Sequence, residues 1–190
     1  MTKFAMGALA LAAALWLVIP RQGATADHPT AVNLAGPTKA ICVLTALKDS
    51  KAHGVIVFTV VGDEVEVKGE VKDLTPGQHG FHVHQFGDLT KDDGMSTGGH
   101  FNPEGKDHGA PSSKDRHVGD LGNITADKNG VAVINFKDKV ITLDGPHSII
   151  GRGLIVHAKA DDEKTQPTGD AGGRVAGGVI GVANDMPAKK

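Results

Sequence analysis

From residue 39 to residue 72 the chain alternates apolar and polar positions with a period of two. Over 39–47, Ala40, Cys42, Leu44 and Ala46 share one face and Ile41 and Val43 the other. That spacing predicts a strand with the first set inward. Its apolar outer face is one that something covers. Residues 53–61 form a nearly continuous apolar run, Gly62-Asp63 offers a tight hairpin turn, and 64–72 alternates Val65, Val67 and Val71 with Glu64, Glu66, Lys68, Glu70 and Lys72. After a turn at Pro76-Gly77, residues 81–86 predict a fourth strand, and then the period is lost from 87 to 118. It resumes over 120–126 and 131–136, joined by a turn at Asn129-Gly130, then over 154–158 and 175–182, with irregular stretches at 137–152 and 161–173. No segment of useful length after residue 26 has helical periodicity. Eight short strands with Gly-rich connections predict an antiparallel sandwich or barrel.

The first 26 residues stand apart. Lys3 precedes an apolar core from Phe4 to Ile19, and Ala24-Thr25-Ala26 offers small residues for cleavage before Asp27. This is the pattern of a secretory leader, and Pro20 ends the apolar run short of a normal membrane span. The expected organisation is therefore a removed leader, 1–26, and one domain, 27–190, in a periplasmic or extracellular setting, with no membrane attachment after cleavage. Removing Lys3 and Arg21 from 20 basic residues leaves 18 against 22 acidic ones, a mature net charge of -4. Nucleic acid, which calls for a basic footprint, is excluded as the main partner. Cys42 is the only cysteine, so no intrachain disulfide exists, and its phase with small apolar residues makes it a buried, inert thiol.

Five of the ten histidines, His82, His84, His100, His108 and His117, fall within the stretch 80–120, which ends on Asp120. A loop as long as 87–118 inside a compact domain is usually functional or disordered, and the histidines favour function. His82 and His84 are two apart on a strand and project from one face, opposite Phe81 and Val83. Alone, such a pair is equally well a pair of solvated surface residues. His100, His108, His117 and Asp120 add three nitrogens and a carboxylate, a set that satisfies tetrahedral zinc. His157, from another strand, can complete the first pair, and a site of imidazoles alone suits copper. Spacing alone does not assign Asp161, but a role in accepting N–H bonds from ligating rings, and so orienting them, is physically reasonable.

The motifs Gly80-Phe81-His82-Val83-His84, Phe86-Gly87-Asp88, Gly99-His100-Phe101-Asn102-Pro103, His108-Gly109 and Arg116-His117-Val118-Gly119-Asp120-Leu121-Gly122-Asn123 occur in one order. They are followed by His147-Ser148-Ile149-Ile150-Gly151-Arg152, His157, Ala160-Asp161-Asp162 and Gly172-Gly173-Arg174-Val175-Ala176. Together they resemble the copper/zinc superoxide dismutases across essentially the whole chain after residue 26. The resemblance implies an eight-stranded antiparallel Greek-key β-barrel, an immunoglobulin-like sandwich, with two long functional loops outside it. It implies copper on His82, His84, His100 and His157, and zinc on His100, His108, His117 and Asp120, with His100 as a shared imidazolate. Asp161 would link His82 to His108, and Arg174 would sit over the copper channel. The implied reaction converts two superoxide ions and two protons into dioxygen and hydrogen peroxide, with His100 as proton carrier and Arg174 as the fixed positive charge that receives the anion. Lys159, Lys164 and Thr168 are candidates for guiding superoxide. A homodimer is implied too, through Ile41, Val43, Phe86, Gly87, Ile149, Ile150 and the last strand.

The chain departs from the family in three places. The loop over 89–98 has no cysteine and one residue more, and Gly177 stands where a family disulfide would end on the last strand. The loop 161–174 is shorter than in animal-type members. Two other readings compete: a dismutase-like module that stores or delivers metal without turnover, and a zinc hydrolase, which needs an open metal position that four protein ligands do not leave.

Overall fold

The computed structural model describes residues 36–184; the leader read at 1–26 lies outside them. Eight strands follow one another: β1 (Lys39–Ala46), β2 (His53–Val61), β3 (Glu64–Lys72), β4 (Gly77–His84), β5 (Asp120–Ala126), β6 (Ala132–Asp138), β7 (Gly153–His157) and β8 (Arg174–Val182). The single helical piece among the described residues is a 3-10 turn at Met95–Thr97. No helix among them is long and apolar enough to cross a membrane.

The strands order as β5-β4-β7-β8-β1-β2-β3-β6, every neighbouring pair antiparallel. β1, β2 and β3 form a meander. The chain then crosses to β4, returns between β5 and β6, and crosses again to β7, which is Greek-key connectivity. With β5 and β6 meeting at the remaining seam the barrel is nearly closed. Inside lies one aliphatic core built by the period-two positions: Cys42, Leu44, Ile56, Phe58, Val67, Phe81, Val83, Leu154, Val156 and Ile180 are all buried. The Cys42 sulfur faces the backbone of Gly178, where a Cβ would come within 2.7 Å of it. Burial pushes the thiol up to about 12, so at neutral pH it is protonated and inert.

Strand edges differ from the hydropathy reading at several ends. β4 starts at Gly77, four residues early, because Gly77-Gln78-His79-Gly80 carries no apolar alternation yet pairs with residues 123–126 of β5. β7 spans 153–157 rather than 154–158, and β6 spans 132–138 rather than 131–136. The outer valines of β2 remain partly exposed, so its continuous apolar run does not mean burial on both faces. The other consequential difference is Ile149. It is 0% exposed and belongs to the core, so it cannot contribute to an outer docking face.

Candidate metal centre

Pleat puts Phe81 and Val83 of β4 inside the barrel and His82 and His84 outside it. The imidazoles nevertheless see no solvent, since both histidines are buried. The chain beyond β4 folds back over them. Gln85 donates its N–H to the Gly99 carbonyl (2.9 Å), Phe101 to Val83 (2.8 Å) and Val83 to Gly119 (2.9 Å). This lays His100 beside His84 as an isolated antiparallel bridge. The β4/β5 pairing shifts register between Gly80 and His82, and the β7/β8 pairing shifts between Val156 and His157. Irregularities of this kind re-aim side chains, and here both fall at histidines of the site. His117 and Asp120 arrive together at the turn that enters β5.

Two donor groups result, each with its ligating atoms within 4.8 Å of one another: His82, His84, His100 and His157, and His100, His108, His117 and Asp120. All seven residues are buried. Hydrogen bonds reveal which atom of each ring is free to bind. His82 Nε2 donates to Asp161 Oδ2 (2.7 Å), His84 Nδ1 to the Gly98 carbonyl (2.9 Å) and His157 Nδ1 to the Gly172 carbonyl (3.2 Å). Their other nitrogens face inward, and His84 Nε2 lies 3.3 Å from His157 Nε2. His100 Nδ1 is 2.7 Å from Asp120 Oδ1, and His117 Nδ1 is 3.1 Å from the same oxygen.

Buried polar atoms normally have partners, yet His82 Nδ1, His100 Nε2 and His108 Nδ1 have none. His108 Nδ1 comes within 3.1 Å of Asp120 Oδ1 without the alignment of a hydrogen bond. Lone pairs converging on two small volumes are what a bound cation satisfies. Imidazoles with one carboxylate are suitable donors for the borderline divalent metals. The residues therefore fit two ions that share one ring.

The four rings of the first group are poised neutral, as ligands must be. Burial holds His84 and His157 well below the ordinary imidazole range, with neighbouring rings and Arg174 adding to the effect. Burial also lowers His82 against the pull of Asp161, and brings His100 to about 4 against Asp120. Below about pH 6.5 the unfolded chain then binds protons the folded one refuses, so stability falls with pH. Asp120 and Asp161 add to this further down. Burial opposes their charge, but hydrogen bonds from the histidines outweigh it and depress both carboxyls. His108 runs the other way. Burial lowers it, but Asp120 and Asp161 outweigh that and raise it to about 9. Its contribution is present below about pH 6.5 and is lost as pH rises through about 9. The metal-free protein should melt at progressively lower temperature between about pH 7 and about pH 5. A melting curve that stayed level across that interval would contradict neutral buried rings.

Asp161 spans the two groups: Oδ2 accepts from His82 and Oδ1 accepts from His108 Nε2 at 2.9 Å. Three supporting side chains had no signal in hydropathy or ligand spacing. The Asn123 carboxamide accepts from the Asp161 N–H (2.7 Å) and donates to its carbonyl (2.9 Å). Gln166 does the same to His108. Buried His79 sets its two ring nitrogens 2.7 Å from the His157 carbonyl and 2.8 Å from the Thr75 carbonyl. Arg116, seen in the sequence only as part of a motif, reaches the Asp120 carbonyl and Asp138 Oδ2, both at 2.5 Å.

Arg174, half-buried, donates Nη1 to the Gly94 carbonyl and to Thr97 Oγ1 (2.6 Å), and Nη2 to the Gly98 carbonyl (2.6 Å). Gly98 thus accepts from both Arg174 and His84, which ties the guanidinium to the first donor group. The loop that supplies these acceptors carries no covalent link to β8. Instead Leu47 is buried between two glycines: its Cδ1 lies 2.8 Å from where a Cβ of Gly94 would stand and 3.1 Å from that of Gly177. Leu89 covers Gly177 from the loop side, its Cδ2 3.0 Å from the same position. Aliphatic packing fills the space at Gly177 where the sequence lacked a disulfide. Lys159 and Lys164 are exposed and Thr168 is half-buried; among the described residues none of the three makes a side-chain hydrogen bond or ion pair.

The family model for copper/zinc superoxide dismutase (SODC) matches residues 52–180, which carry the donor atoms of both groups. The chain belongs to the copper/zinc superoxide dismutase family. A solved structure described as a crystal structure analysis of the clock protein EA4 is 47% identical. The alignment covers 80% of this chain and 99% of that one, with a TM-score of 0.74. Copper and zinc are the metals of this dismutase family, and the two buried donor groups are able to hold them. Within a dismutase frame the second group is closed by four protein donors, which leaves no position for the metal-bound water a zinc hydrolase needs.

Proposed function

We propose that the chain disproportionates superoxide to dioxygen and hydrogen peroxide, with copper held by His82, His84, His100 and His157 and zinc by His100, His108, His117 and Asp120. One observation carries this reading: a single buried ring, His100, belongs to both donor groups; the Gly98 carbonyl, which accepts from His84 of the first group, also fastens the Arg174 guanidinium. Copper, when bound, supplies the one-electron exchange with successive superoxide ions. The residues supply the rest. Neutral His82, His84 and His157 hold the first position dry and rigid, their far nitrogens fixed by Asp161, Gly98 and Gly172. His100 keeps Nδ1 directed at Asp120 while Nε2 is free to hold or release a proton at the substrate's side. Arg174 provides a permanent charge that attracts and orients a small anion.

Loading the protein with both metals and following superoxide consumption tests the reading. Turnover that saturates the usual colorimetric or pulse-radiolysis assay is expected, and tight metal binding without turnover would favour a storage or delivery module. The EA4 structure, described by a timing role, makes that control worth running. Guidance of superoxide by Arg174 with Lys159, Lys164 and Thr168 on a net negative chain implies a rate that falls as ionic strength rises. A flat salt profile removes the steering role.

The same reading includes a homodimer. Val43 of β1 (58% exposed) and Val179 of β8 (44%) stand on paired strands, and Phe86 (52%) adjoins them through Gly87, whose absent Cβ would touch Val179. A contiguous apolar patch of this kind calls for a covering partner. Sedimentation at micromolar concentration should report two subunits, and a single-subunit mass would remove the dimer. Export beyond the cytoplasm rests on the leader pattern of 1–26, and an amino terminus sequenced at Met1 in the mature protein would refute it.

A further inference from the structure

His108 lies in a stretch with no regular secondary structure, where a backbone N–H and C=O have no ladder to join. Both are nonetheless satisfied, by one side chain from the other loop. The His108 N–H donates to Gln166 Oε1 at 2.8 Å, and Gln166 Nε2 donates back to the His108 carbonyl at 2.9 Å. A carboxamide places one donor and one acceptor side by side, as a peptide group does, so it can stand in for a neighbouring strand at a single residue. Asn123 does this for Asp161 from β5. The contact from His108 Nε2 to Asp161 Oδ1 is therefore made between two residues whose backbones are each gripped by an amide. Asn123 anchors one end to the barrel. Gln166 anchors the other to the loop that itself carries Asp161, and that loop has no second hydrogen-bonded hold on the His108 backbone.

We propose that Gln166 is a positioning residue for the second donor group: its two-point grip sets where the His108 ring presents Nδ1 beside Asp120. The proposal rests on the reading of that group as the zinc site. Asp161 orients the ring at Nε2, but the ring pivots about its Cα, and the Cα is held by Gln166. Without the amide, the His108 N–H and C=O exchange their two bonds for water, the stretch keeps only the holds of Asn102 on Lys106 and of Asp120 on the Gly109 N–H, and the unpartnered buried nitrogen of His108 moves out of register with His100 and His117.

The test uses the full mature chain and two variants, Gln166→Leu, which removes both bonds at similar volume, and Gln166→Glu. The latter keeps the acceptor but sets a second oxygen against the His108 carbonyl. Zinc release from zinc-loaded protein is followed with a chromogenic chelator, and the visible bands of the cobalt(II)-loaded protein report the ligand field of the same group. Both variants should release zinc about ten-fold faster or more, the range typical of residues that orient ligands. Both should also alter the cobalt bands, while the melting temperature of the metal-free protein stays where it was. Unchanged release and unchanged cobalt bands would overturn the proposal, even if amide exchange in the loop increased, because that pattern marks a residue that merely ties loops together. Failure of the unsubstituted chain to bind cobalt at these ligands would overturn the zinc-site reading itself, and the positioning role with it.

Discussion

Replacing His100 with alanine is expected to loosen both metals in one step and to lower superoxide consumption by at least about 100-fold, the upper end for a residue that merely supports a ligand. The reason is geometric. His100 is the one residue common to both donor groups; Nδ1 faces Asp120 and Nε2 has no protein partner. Alanine removes a donor from each side and leaves the backbone bridge to residue 84 intact, so the barrel itself survives. Comparison variants separate the effects. His84→Ala removes a donor from the first group alone and His117→Ala from the second alone, so each should weaken one metal by equilibrium dialysis. If His100→Ala bound copper and zinc as tightly as the parent and kept its turnover, the shared ring would have no functional meaning.

Gly169→Ala should be nearly as damaging although it touches no donor atom. A Cβ there would lie 1.7 Å from Asp161 Oδ1, 2.6 Å from its Cγ and 2.7 Å from His108 Nε2. Those are impossible separations for a methyl group, so the carboxylate must leave, and the hydrogen bonds that orient His82 and His108 leave with it. Metal retention should fall roughly 10- to 100-fold in both groups. Gly169 also has φ of +69°, which costs an L-residue about 1–2 kcal/mol by itself. Gly62→Ala, in the turn between β2 and β3, controls for that cost: its φ is +67°, and nothing lies within 4 Å of its Cβ. Gly62→Ala should lower the melting temperature slightly and keep both metals. Equal losses of metal in the two variants would assign the effect to backbone strain and not to Asp161.

The consequence of Gly169 was invisible along the chain, whereas that of His82 and His84 was plain, and the contrast is instructive. Two histidines at i and i+2 in a strand must share a face, whatever the rest of the protein does. Local geometry alone makes them neighbours. Gly169 matters only because Asp161, eight residues earlier, turns its carboxylate back under it. Gln166 and Asn123 are similar cases: an exposed glutamine and a strand asparagine carry no hydropathy signal, and their partners lie 58 and 38 residues away. His79 escaped notice because the first half of β4 has no alternation, its strand character being imposed by pairing with β5. Ile149 went the opposite way. An apolar residue in a turn reads as equally fit for an interface or a core, and burial decided for the core.

Period-two alternation, glycine and asparagine turns, and the spacing of histidines were enough to determine an eight-strand β architecture and the chemical character of the donors. These are short-range properties, set by pleat, turn stereochemistry and side-chain identity, and they hold before the chain folds. The tertiary structure alone decided which nitrogen of each ring is left bare, how two register shifts aim His82 and His157, and which carboxamides grip the loops. It also decided that Leu47 and Leu89 fill the space around Gly177. Each of these depends on groups from distant segments meeting at hydrogen-bond or van der Waals distance, and such meetings are fixed by the closing of the barrel rather than by the sequence neighbourhood of any one residue.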